Sequence, residues 1–305
     1  MTYAQFYAEE IEAVAGLTAA HLVAAFAAVP RERFLGPGPW TARGEGEVFG
    51  PPRTTSDADP KRVYHNLAIA IDASRQLFNG VPSLLAAWMQ ALGVRPGARV
   101  LHVGAGTGYY TAVMAEAVGA DGHVEAWEVD AALASRARDG LADRPNVLVY
   151  TGDAAEHSRP FDVVLVNAGA THPRPSWLDA LAPGGRLLVP LTVTMPPGAP
   201  VGKGFALLVE RPSEPAPAAM GTVPLSAPQE SDMGTVPMSA SYPARFLNMV
   251  AIYNAAGARD PAIEARLGQA MARGDFMTVR RLRRDAHDEG AGCWLHTPGF
   301  CLSRE

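Results

Sequence analysis

The chain has 305 residues, 48% hydrophobic and 19% charged, a balance that supports a buried core in one large domain or a domain with an appendage. A formal net charge of −5 excludes a surface built to neutralise phosphates, so nucleic acid is not expected as a main partner. No apolar run long enough for a membrane span is present, and residues 1–10 show no basic start and no apolar stretch, so neither a span nor a signal peptide is expected. Cys293 and Cys301 are the only cysteines. Their spacing fits no zinc or redox motif, so no metal is expected, and a cytoplasmic protein with two reduced thiols is the simplest reading.

The first elements read as helical, with Thr18 placed to cap a helix over residues 19–28 that stops before Val29-Pro30. Residues 36–60 are rich in Gly and Pro and read as an irregular excursion. Leu67–Ile71 predicts a short strand. Pro82 opens a helix whose apolar positions Leu84, Leu85, Trp88, Met89 and Leu92 fall at helical spacing.

From Arg99 the pattern alternates. Strands are predicted at Arg99–Val103, His123–Val129, Val147–Tyr150, Phe161–Val166 and Arg186–Leu191. Helices are predicted at Tyr110–Val118, about Ala131–Leu141 and Trp177–Leu181. Such alternation gives an α/β fold, a doubly wound, mostly parallel, Rossmann-like sheet. Pro212 to Pro243 hold seven prolines and one aromatic residue, and within that span Met220–Ala227 recurs almost unchanged at Met233–Ala240. This composition reads as a linker, with the duplication a tolerated surface insertion. Phe205–Glu210 before it, and Arg245–Tyr253 and Gly292–Leu302 after it, read as strands, with Pro261–Ala272 a helix. The division expected is a core over 1–211, the linker over 212–243, and strands and a helix over 244–305 that complete the sheet. The cluster Arg280–Arg284, followed by Asp285, Asp288 and Glu289, reads as a self-paired, solvated helix face.

The chemistry concentrates at Val103-Gly104-Ala105-Gly106-Thr107-Gly108, where a strand runs into closely spaced glycines and then a helix. Glycines there let the backbone turn tightly and approach a ligand. A dinucleotide site wants a further glycine three residues after the second one, and Tyr109 takes that place; a P-loop lysine is also absent. A nicotinamide-dependent oxidoreductase is therefore disfavoured, and a phosphate-free ligand with ribose, adenine and a zwitterionic amino acid fits better. Glu128, 20 residues past Gly108, can accept from both ribose hydroxyls, and Asp153, beside Ala154, can accept from the adenine amino group.

Val29-Pro30-Arg31-Glu32-Arg33-Phe34, the glycine loop through Tyr109, Gly152-Asp153, Phe161-Asp162 and Pro183-Gly184-Gly185-Arg186-Leu187 resemble the protein-L-isoaspartate O-methyltransferase family over about residues 18–191. The resemblance implies the class I methyltransferase fold with a seven-stranded sheet. It also implies S-adenosyl-L-methionine as cofactor, held by His102, Gly104, Ala105, Gly106, Thr107, Gly108, Glu128, Asp153 and Ala154, and a carboxylate on a peptide, protein or specialised metabolite as methyl acceptor.

Three positions depart from the family. Aligned on Pro82, Gly80 stands where the family has a serine and Phe78 where it has a threonine, so the hydroxyl beside the methyl group is missing. Ser83 reads as a cap, and Ser74 lies a few residues upstream. His102 replaces an acidic residue that helps to orient the methionine end of the cofactor. These changes weaken the isoaspartyl assignment more than methyl transfer itself, because a carboxylate acceptor needs no proton removed at neutral pH. Asn79 and Gln76 on the family's catalytic segment, and Asn167 and His172 after the fourth strand, are the candidates to position the acceptor. His172 would serve as base if that acceptor were a hydroxyl or a nitrogen. A protein that binds the cofactor without catalysis, using the linker and C-terminal extension for partners, is the alternative of another class.

Overall fold

The computed structural model describes residues 1–44, 51–154, 160–196, 198–213 and 241–305. Two helices, α1 (Tyr3–Ala15) and α2 (Ala20–Ala28), come first. Thr18 does not cap α2. Its N–H and hydroxyl donate to Gln90 Oε1, and Ala19 is the N-cap with no side-chain bond. The distant glutamine outcompetes the local cap because α1, which packs on α2, also packs on α3 (Pro82–Leu92), the helix that carries Gln90.

The stretch expected to be irregular contributes strands to a small antiparallel sheet. Strands β1 (Thr41–Arg43), β2 (Arg53–Thr54), β3 (Ala68–Asp72) and β4 (Leu77–Phe78) run in the order β2-β1-β3-β4. Arg31 holds this sheet to the N-terminal helices. It is fully buried, donates to the carbonyls of Val63, His65 and Leu67, and stands over the rings of Tyr7 and Tyr109. Burying a guanidinium is costly unless its donors are met, and here three carbonyls and two aromatic faces surround it. Two residues on, Arg33 pairs bidentately with Asp143, and Phe34 fills the space that a Cβ at Gly140 would need. The Val-Pro-Arg-Glu-Arg-Phe motif is thus a packing device.

The main sheet follows the alternating pattern. Strands β5 (Arg99–Val103), β6 (His123–Glu128), β7 (Val147–Thr151), β8 (Phe161–Val166) and β9 (Leu181–Thr194) pair in parallel in the order β7-β6-β5-β8-β9. Helices α4 (Tyr109–Val118), α5 (Ala131–Leu141) and the short α6 (Pro175–Asp179) connect them. Helix α6 begins earlier than expected because Pro175 sits in its first turn, where a missing N–H costs nothing. Strands β10 (Val201–Glu210) and β11 (Ser241–Tyr253) continue the sheet antiparallel, completing the seven strands of a class I methyltransferase sheet.

Three more strands extend it as β11-β12-β14-β13, with β12 at Arg281–Arg283, β13 at Cys293–His296 and β14 at Cys301–Ser303. The basic cluster is therefore a strand and not a helix face, because its backbone pairs with β11 on one side and β14 on the other. Its self-pairing survives in Arg283–Asp285, while Arg284 reaches Asp179. Gly292–Leu302 is a hairpin of two strands and not one, since Pro298-Gly299 turns the chain. Helix α7 (Pro261–Arg273), capped by Asp260, packs against β9 and β13. The duplicated segment, with most of the expected linker, lies outside the described residues. No helix among the described residues is long and apolar enough to cross a membrane.

Candidate active site

The carboxyl ends of β5, β6, β7 and β8 converge on one cavity of about 1030 Å³, where ligands of open α/β sheets bind. The loop after β5 holds Gly104, Gly106 and Gly108 at φ of 79°, 57° and 93°, a region that side-chain-bearing residues rarely enter. The three do different work. Gly104 and Gly106 line the cavity with Ala105 and Thr107. Gly108 does not, and a Cβ there would stand 2.9 Å from Leu141 Cδ1, so its role is to let α4 pack on α5.

Glu128, 7% exposed at the end of β6, closes the loop from the other side. Its Oε2 accepts from the Gly106 N–H at 2.7 Å and its Oε1 from the Asp130 N–H at 3.0 Å. Burial pushes this carboxyl up from its ordinary range, and the two N–H groups pull it back down. A carboxylate offers about four lone-pair sites, so two acceptor positions remain for a ligand. The Thr107 hydroxyl is buried at the same wall with no protein partner.

Asp153, after β7, also lines the cavity beside Ala154, and one of its oxygens is already engaged. Arg174 Nη1 donates to its Oδ1 at 2.5 Å, a partner that sequence separation concealed. Trp127, at the cavity wall, stacks on Tyr150 with centroids 4.6 Å apart.

His102 departs from its expected place. It is fully buried, and its Nδ1 faces the Thr111 hydroxyl at 2.9 Å, so it points under α4 and is not among the cavity residues. Burial pushes its pKa down to about 3 from the ordinary 6.5. The folded state then excludes a proton that the unfolded chain binds, so stability from this group is full above about pH 6.5 and declines toward about pH 3. We expect His102→Gln to flatten that acid limb: melting temperature should fall less between about pH 7 and pH 4 than in the parent chain. Equal slopes would refute the neutral, buried imidazole.

On the acceptor side, Asn79 is 9% exposed and lines the cavity. Its Oδ1 accepts from the Ile69 N–H at 2.9 Å, while its Nδ2 is buried without a partner. The backbone bond occupies Oδ1 and leaves Nδ2 as the unpaired donor of a residue in the cavity wall. Asn167, at the end of β8, lines the same cavity. His172 does not: it stacks on Phe300 at 6.5 Å, with Nδ1 2.9 Å from the Thr171 hydroxyl. Gln76 sits in the β3–β4 turn, bonded to Arg43 and Ala73, outside the cavity lining.

Of the two nearby serines, Ser74 lies outside the cavity lining and Ser83 lines it from the first turn of α3. Ser74 donates to Asp72 in the same turn, and Ser83 exchanges hydrogen bonds with Asn66, whose carbonyl caps the Ser83 N–H. At Gly80 the backbone has φ +86°, its carbonyl accepts from Tyr110, and a Cβ would stand 3.1 Å from Leu85 Cδ2.

The far wall comes from a segment that sequence reasoning did not connect to the site. Residues 248–256 of β11 and its continuation line the cavity, as do Lys203 of β10 and Arg43 of β1. The only advance signal was the strand-like pattern at Arg245–Tyr253, which carries no mark of its pairing partner.

A doubly wound sheet with a glycine loop, an acid ending the next strand and an antiparallel pair closing the sheet defines the class I methyltransferase fold. Residues 53–196 match the family model described as protein-L-isoaspartate(D-aspartate) O-methyltransferase. The protein-L-isoaspartate O-methyltransferase of Gloeobacter violaceus is 33% identical over 181 residues, covering 58% of this chain and 76% of that protein. That of Methanopyrus kandleri is 41% identical over 137 residues, covering 43% and 59%. A solved protein-L-isoaspartate O-methyltransferase superposes with TM-score 0.59 at 22% identity, covering 87% of this chain and 68% of that one. The chain belongs to the protein-L-isoaspartate O-methyltransferase family. It spans 51%, 63% and 59% of the lengths of the Thermotoga maritima, Ignicoccus hospitalis and Methanopyrus kandleri relatives.

Proposed function

We propose that this protein is an S-adenosyl-L-methionine-dependent O-methyltransferase acting on a carboxylate of a peptide or protein. The observation that carries the proposal is the Asn79 amide: held by the Ile69 N–H, with a buried donor that has no protein partner, in the wall of the cavity that Gly104, Gly106 and Glu128 line. The residues present fit the cofactor. Glu128 has acceptor capacity left for ribose hydroxyls, Thr107 has an unmet hydroxyl, and the loop glycines leave room for close approach. When bound, S-adenosyl-L-methionine supplies a methyl group on a sulfonium, an electrophile that an anionic oxygen attacks directly.

The chain's own task is positioning. The Asn79 amide donates to the acceptor carboxylate and leaves its other oxygen to react. The largely apolar cavity holds back water that would solvate the nucleophile. No base is required, in keeping with the seat of His172 outside the cavity. A hydroxyl or nitrogen acceptor would need one, so this placement counts against the N- or hydroxyl-directed alternative.

The test is transfer of labelled methyl groups to peptide carboxylates, with release of label by mild base as the signature of an ester. Base-stable product alone would overturn the proposal. Isoaspartyl peptides are expected to be slow acceptors because position 80 offers no hydroxyl. Gly80→Ser is expected to cost about 1–2 kcal/mol of stability through its left-handed backbone, without raising isoaspartyl turnover. A gain in turnover would show that the loop refolds to present the serine.

A further inference from the structure

Beyond the last cavity residue, Ala256, the hairpin of β13 and β14 gathers chemistry that methyl transfer does not use. His287, Cys293, His296 and Cys301 each direct one ligand atom to a common point, all within 4.8 Å of one another. We propose that these four side chains form a structural zinc site that pins the C-terminal extension to the sheet.

The sheet register explains how the cluster arises. Residues three apart in a regular strand face opposite sides. In β13 the pairing runs Cys293 with Ser303, Leu295 with Leu302 and His296 with Cys301, with a register shift between Cys293 and Leu295. The extra residue places Cys293, His296 and Cys301 on one face of the hairpin. His287 arrives from the segment after β12.

The distances suit a tetrahedral site. Cys293 Sγ lies 3.7 Å from His287 Nε2 and 4.0 Å from His296 Nδ1. With zinc–sulfur bonds of about 2.3 Å and zinc–nitrogen bonds of about 2.0 Å, tetrahedral angles put such pairs at roughly 3.6 Å. A small contraction therefore completes the shell.

The surroundings are those of a ligand set. His287 Nδ1 donates to the Asp285 carbonyl at 2.9 Å, which fixes the ring and leaves Nε2 as the coordinating nitrogen. The Gly290 N–H points at Cys293 Sγ at 3.5 Å, the kind of bond that steadies a thiolate. Two thiolates and two imidazoles favour zinc over magnesium or calcium, which want oxygen, and with two protein charges they balance the dication. All four ligands come from protein, so the site is closed and structural.

The hairpin is tied to the rest of the fold. Arg273 of α7 donates to the Trp294 carbonyl, Trp294 Nε1 donates to Gly274, and the Trp294 ring meets Phe246 of β11 at 5.2 Å. A metal here stiffens the back of the strand whose upper half walls the cavity.

Tag-free protein, purified under reducing conditions, should carry about one zinc per chain by mass spectrometry of metals. Cys301→Ser and His287→Asn should each lose nearly all of it, while His123→Asn, on the opposite edge of the sheet, should retain it. Chelator should lower the melting temperature of the parent chain, and added zinc should restore it. Should either variant fail to fold, the parent chain suffices: stripped protein loaded with cobalt(II) should show tetrahedral visible bands and thiolate charge transfer. Protein that holds no zinc and gives no such bands overturns the proposal, as does a Cys293–Cys301 disulfide that forms without metal under the same conditions.

Discussion

Replacement of Glu128 by glutamine is expected to raise the Kd for S-adenosylhomocysteine about 100-fold, read by calorimetry. Each hydrogen bond from a ligand hydroxyl to a charged acceptor is worth about 1.5–3 kcal/mol, and each 1.4 kcal/mol is tenfold in affinity. Glu128 already accepts from Gly106 and Asp130. The amide halves the acceptor sites and sets an NH2 donor where the second oxygen stood, so the two backbone N–H groups and the ribose hydroxyls compete for one oxygen. A loss of about 3 kcal/mol follows. Stability should fall by only about 1 kcal/mol, since one backbone donor finds the amide oxygen and the other is left for solvent or ligand. Affinity within a factor of about three of the parent would place the ribose elsewhere.

Asn79→Asp is expected to lower kcat/KM for the peptide acceptor about 100-fold or more while leaving cofactor affinity unchanged. The substitution is nearly isosteric, and one carboxylate oxygen can still accept from Ile69, so the β3–β4 sheet should keep its register. What changes is the group facing the cavity, from a donor to an anion. Like charges brought together out of bulk water cost several kcal/mol, which is why the effect should fall on the acceptor. Asn79→Ala separates the roles differently: it removes the donor and also leaves the Ile69 N–H unmet, so it should cost stability of about 1–3 kcal/mol as well as turnover. If the aspartate variant retains full kcat/KM, Asn79 does not touch the acceptor carboxylate.

The central strands Arg99–Val103 and Phe161–Val166 and helix Ala131–Leu141 were legible residue for residue, because buried parallel strands are short apolar runs and amphipathic helices carry a 3.6-residue period. The glycine loop and Glu128 were legible for a related reason. Positive φ demands glycine, and in a doubly wound sheet the acid ending the next strand must face the same crevice.

Side-chain direction was not legible. His102 reads as a residue of the cofactor site, yet it turns beneath α4 to Thr111; Asp153 lines the cavity as expected, but its partner Arg174, 21 residues on, was concealed. Pairing across long separations was equally silent. The Arg280–Arg284 cluster became a strand only because β11 and β14 were there to pair with it.

The same distinction divides the molecule. Local sequence by itself determined the alternating core, the glycine turn and the family, because backbone geometry and hydrophobic period act over a few residues. Tertiary structure decided which amides line the cavity, which strand walls it, and that two cysteines with no motif spacing meet two histidines. Each of those outcomes depends on strand register, and register is set by pairing partners outside the local hydrophobic period, from the β13–β14 turn to the β10–β11 pair across the expected linker.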